Sequence, residues 1–119
     1  MALDRFVYLK DEKPTREQLE QVLRNYIGEA GTINFENNMW FCTLPGKPTH
    51  LLQGVDGFPQ ERCVPLRDDE RWFEIFYNKD DPKPHIDVIT RQQDEFTTVV
   101  ANGFQQLCAR IWKGEMPPQ

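Results

Sequence analysis

The chain has 119 residues and a mass of 14.1 kDa, the size of one domain, and a chain of this length buries roughly two thirds of its unfolded surface in one core. Its hydrophobic (39%), charged (28%) and aromatic (12%) fractions are those of a globular protein and set disorder aside. The net charge of −5 and pI of about 5.0 disfavour binding by phosphate neutralisation and docking on an anionic membrane, which argues against a nucleic acid or such a membrane as partner.

Missing residue types narrow the chemistry further. The sequence contains no serine, so the nucleophile of a serine hydrolase is absent. Its three cysteines, Cys42, Cys63 and Cys108, are odd in number and far apart, which does not describe a disulfide framework. There is no Asn-x-Ser/Thr sequon, no basic leader in Met1 to Arg5, and no apolar run near the ~20 residues of a membrane span. A reduced, cytoplasmic protein is expected.

In chain order, residues 6–10 (FVYLK) read as a strand, followed by an Asp11–Pro14 turn. Thr15, with Gln18 three residues on, is a capping box. Leu19, Val22, Leu23, Tyr26 and Ile27 then recur at helical spacing, and Gly28 stands where a C-terminal glycine stops a helix. Residues 31–36 and 39–44 flank Asn37-Asn38, a pair that tolerates the positive φ of a two-residue hairpin turn. That turn sets Phe35 opposite Trp40 and Ile33 opposite Cys42 on one side of the sheet, with Asn34, Glu36, Met39, Phe41 and Thr43 on the other.

Residues 45–70 show no clean period and carry seven prolines and glycines, a long loop of the kind that is often functional. They also hold Leu51, Leu52, Val55, Phe58, Val64 and Leu66, so part of the loop is expected to pack down, with room for a short strand at 63–66. Residues 71–77 (RWFEIFY) are the strongest strand signal, and residues 85–91 (HIDVITR) match them across a polar turn. Asp94 is placed to cap a second helix bearing the stripe Phe96, Val99, Val100, Gly103, Phe104, Leu107, Cys108, Ile111 and Trp112. The order β-α-β-β-loop-β-β-α predicts a single α+β domain over 1–119: a two-layer sandwich, mostly antiparallel, with both helices on one face.

The strand RWFEIFY is apolar on both sides. Phe73, Ile75 and Tyr77 suit the helix-covered face, together with Ile86 and Val88 of the next strand. The second face then gathers Met39, Phe41, Trp72, Phe76 and Ile89 beside Glu36, Glu74, His85, Asp87 and Arg91. Aromatic anchors in a polar surround are the composition of a binding surface, and Phe41, Trp72, Phe76 and Ile89 are the candidate contact residues. The bland alternative is that the long loop folds over this face and completes the core.

Candidates for chemistry are weaker. Glu74, His85, Asp87 and Arg91 fall on one face, and a histidine beside carboxylates has acid–base capacity near neutrality; a salt-bridged polar patch has the same composition. Cys42, His50, Cys63 and His85 are zinc-binding residue types without zinc-binding spacing, so no metal and no cofactor is expected. Cys63 beside Arg62 is the candidate exposed thiol, with His50 as a distant base. Gly46-Lys47-Pro48-Thr49 fails as a phosphate loop, because Phe41 stands where its first glycine belongs. The acidic runs 68–70 and 80–81 lack the alternating ligands of a calcium loop. The expected function is therefore non-catalytic: a small bacterial-type protein that binds a protein partner or itself, as a homodimer, through the sheet face and long loop. One form is an acidic inhibitor or immunity-type protein. The alternative is a small-molecule binder or enzyme with a pocket between sheet and loop.

Overall fold

A computed structural model describes residues 2–28, 31–44, 71–91 and 95–117. Seven elements lie among them: β1 (Leu3–Tyr8), α1 (Arg16–Ile27), β2 (Thr32–Glu36), β3 (Met39–Thr43), β4 (Trp72–Asn78), β5 (His85–Thr90) and α2 (Glu95–Ile111). The strands form one antiparallel sheet in the order β1-β5-β4-β3-β2. This is the predicted α+β sandwich. The long loop at 45–70 with its apolar residues, the expected strand at 63–66, the Asp94 cap and the Phe96 side chain lie outside the described residues.

Local signals placed most elements. Thr15 caps α1 through the reciprocal pair Thr15 Oγ1 to Gln18 N (3.1 Å) and Gln18 Oε1 to Thr15 N (2.8 Å). Gly28 closes it at φ 65°. Asn37 and Asn38 both hold positive φ (52° and 63°), the backbone of a type I′ turn. The register that follows is the expected one: Phe35 opposite Trp40, Ile33 opposite Cys42.

The first strand differs. It begins at Leu3, before the expected Phe6, and ends at Tyr8, because β5 supplies a ladder partner for each residue from Leu3 (opposite Thr90) to Tyr8 (opposite His85). Pairing outweighs local propensity here. Arg5 and Val7 of the strand's inward row are buried, and so is Leu9 just past its end.

Both helices cover the same face. Trp40 donates its indole N–H to Glu20 of α1 (3.2 Å), and Phe73 meets Phe104 of α2 at 6.3 Å between ring centroids. The helices touch through Tyr26, whose ring lies 5.4 Å from that of Phe104 and whose hydroxyl donates to the Val100 carbonyl oxygen (2.8 Å). Leu19, Leu23, Ile27, Trp40, Cys42, Leu44, Phe73, Ile75, Ile86, Val88, Val100, Phe104 and Cys108 are buried in the core between the layers. Ile111, expected on the α2 stripe, is 40% exposed, whereas its stripe neighbours Cys108 and Trp112 are buried in the core.

Candidate functional site

The face without helices is a grid set by the register. Tyr8, His85 and Asn78 form one row across β1, β5 and β4. Phe6, Asp87, Phe76, Met39 and Glu36 form the next. Asp4, Ile89, Glu74, Phe41 and Asn34 follow, and Trp72, Thr43 and Thr32 complete it. The four candidate contact residues therefore do share a face. Phe41, Trp72 and Phe76 are half-buried there, whereas Ile89 is buried.

The aromatic part of this face is larger than expected. Phe6 and Tyr8 stand stacked, 5.8 Å apart at 16°, and His85 meets Phe6 edge-on at 5.7 Å. Phe76 completes the group, 6.4 Å from His85. Simple alternation in FVYLK was the available signal, since it sets Phe6 and Tyr8 against Val7 and Leu9.

The four polar candidates fall into separate arrangements. Arg91 Nε donates to Glu74 Oε2 at 2.9 Å, pairing a half-exposed guanidinium with a buried carboxylate. His85 Nδ1 lies 2.9 Å from the Lys83 carbonyl oxygen, so its ring hydrogen bond goes to backbone and not to a carboxylate. Asp87 is buried (7% exposed) and accepts the Arg5 backbone N–H at Oδ1 (3.2 Å). Burial, and then the hydrogen bond and charge of Asp4, push its pKa up to about 7 against the pull of Arg5. Asp4 and Asp87 thus form a carboxyl pair that a reading of β5 alone had no means to find, because Asp4 comes from the part of β1 that only pairing reveals.

Arg5 is the other unforeseen residue. It points to the helix side, 6% exposed, where Nε donates to Asn102 Oδ1 of α2 and Nη1 to Thr90 Oγ1 (2.8 Å). It ties the edge strand to α2. Beside it, a groove of about 590 Å³ runs between β1 and α2, lined by Asp4, Thr98, Asn102, Gln105 and Met116 among others. The loop side of the pocket expected between sheet and loop lies outside the described residues, as does the separate Cys63–His50 pair. Cys42 and Cys108 are buried free thiols whose pKa values burial raises. Among the described residues no group of His, Cys, Asp and Glu has the arrangement of a metal site, and no helix is long and apolar enough to cross a membrane. No protein-family model, no curated protein and no solved structure matches this chain.

Proposed function

We propose that this chain is a non-catalytic cytoplasmic protein that acts by binding another protein surface, a second copy of itself included, through the helix-free face of its sheet. One observation carries the reading: Phe6, Tyr8, Phe41, Trp72 and Phe76 stand half-buried on one face, around and beside the carboxylates of Asp87 and Glu74. Rings held on rigid strands bury large area at low entropic cost, and Asp4 and Glu36, exposed at opposite ends of the face, favour a basic partner surface. In its most specific form the protein is an acidic inhibitor of immunity type that occupies a basic site. The net charge of −5 supports that polarity. Free thiols kept inside the core suit a reducing compartment. Acid–base chemistry by His85 with Glu74 draws no support from the polar geometry, since Glu74 is engaged by Arg91 and His85 by backbone.

Light scattering on a size-exclusion column, over a wide concentration range, tests the reading for the wild type and Trp72→Glu, with circular dichroism on both. A wild-type dimer and a folded monomeric variant place self-association on this face. Two folded monomers remove self-association from the proposal and leave a basic partner protein. Unfolding of Trp72→Glu makes the face part of the core and overturns the reading.

A further inference from the structure

The two edges of the sheet are treated differently. At β1 the outward backbone groups are those of Asp4, Phe6 and Tyr8, by the alternation of an antiparallel ladder. Tyr8 exchanges both hydrogen bonds with Glu115 (2.8 Å each). The next position of the tail to face Phe6 is Pro117, which has no N–H, and the Gln105 side chain donates to the Phe6 carbonyl oxygen instead (3.0 Å). Tail, proline and glutamine together close that edge to other strands.

At β2 none of these devices occurs among the described residues. Five residues, TINFE, run without proline, lysine or a bulge, and Thr32, Asn34, Phe35 and Glu36 are exposed. The two-residue turn makes Glu36 and Met39 the closing hydrogen-bonded pair. The backbone groups of Glu36, Asn34 and Thr32 therefore point at β3, and those of Ile33 and Phe35 point outward.

We infer that β2 pairs antiparallel with β2 of a second copy about a two-fold axis at Asn34, joining two sheets into one of ten strands. The sequence of β2 is self-complementary in that register. Ile33 of each copy meets Phe35 of the other as a hydrogen-bonded pair, giving four backbone hydrogen bonds across the axis. Ile33 and Phe35 meet on the helix side, where Phe35, 38% exposed, already packs on Trp40 at 4.8 Å and under the Arg16 guanidinium. On the other side Asn34 faces Asn34, and Glu36 faces Thr32, so no like charges oppose one another. The short interface describes a weak, concentration-dependent dimer. This surface is separate from the sheet face and stands whether or not that reading holds.

The test is sedimentation velocity on the full chain, from micromolar into the millimolar range. Wild type, Asn34→Lys, Asn34→Asp and an equimolar mixture of the two variants are compared. A wild-type dimer is expected, weakened about fivefold or more in each variant, where like charges meet on the axis, and restored in the mixture, where Lys meets Asp. Trp72→Glu, which lies off β2, leaves this dimer intact. A wild type that stays monomeric throughout, or a dimer that both Asn34 variants retain at full strength, overturns the inference. A dimer lost in Trp72→Glu but kept in the Asn34 variants assigns self-association to the sheet face instead.

Discussion

Gly103 is the smallest side chain on α2 and one of the most constrained. It sits where the Tyr26 hydroxyl crosses from α1 to the Val100 carbonyl, and a Cβ at this position would collide with that oxygen. Alanine in an open helical site gains about 1 kcal/mol over glycine, but forcing a methyl into a packed contact costs about 1–3 kcal/mol. Gly103→Ala is therefore expected to destabilise the domain by about 1 kcal/mol. In a Tyr26→Phe background, which removes the oxygen, the same change turns neutral or stabilising. Urea midpoints of the four proteins in the cycle check this coupling, and simple additivity would refute the contact. A glycine inside an apolar helical stripe is legible in sequence as a close approach. Its partner is not, since Tyr26 is 77 positions away.

Among the elements, α1 is written locally and β1 is not. Thr15, the spaced Leu19, Leu23 and Ile27, and Gly28 each act within a few residues, so start, face and stop of the helix follow from sequence. Thr15→Ala removes the cap to the Gln18 N–H and is expected to cost about 1 kcal/mol, read as a fall of several degrees in Tm. Gln18→Ala, which leaves the threonine cap in place, falls less. In the hairpin, Asn37-Asn38 did the same for β2 and β3, and the register followed. β1 shows the opposite behaviour: Leu3, Asp4 and Arg5 lack a strand-like pattern and become strand because Thr90, Ile89 and Val88 are there to pair with. That extension is what brings Asp4 to Asp87 and Arg5 to Asn102.

For the whole molecule, the consequence of that pairing is a stability that depends on pH in an unusual direction. The Asp87 carboxyl, with a folded pKa of about 7, binds its proton more tightly than the same group in the unfolded chain, near 3.9. Between those values the folded state holds more protons than the unfolded one, so this group's contribution is fullest below about pH 4 and is lost as pH rises through about 7. The groups that face it are Asp4, which opposes its ionisation, and Arg5, which favours it. Asp87→Asn keeps an oxygen for the Arg5 N–H and presents an N–H to Asp4. It is expected to unfold at higher urea than wild type at pH 8, by about 1 kcal/mol, and to lose that advantage at pH 5. An equal effect at both pH values would show that Asp87 is ionised throughout.

Sequence alone determined what is local or periodic. A capped and stopped α1, the apolar stripe of α2, a two-residue hairpin and the helix-on-sheet architecture all rest on spacings of a few residues, where backbone geometry leaves few choices. It also placed Phe41, Trp72, Phe76 and Ile89 on one face, since alternation along a strand is obligatory. Only the tertiary structure decided which strands are neighbours. That choice is made by the energy of the packed whole, over separations such as the 82 positions between Arg5 and Asp87. It added Phe6 and Tyr8 to the aromatic face, split His85 from the Glu74–Arg91 pair, and closed the β1 edge while, among the described residues, no strand or tail pairs with β2 on its outer side.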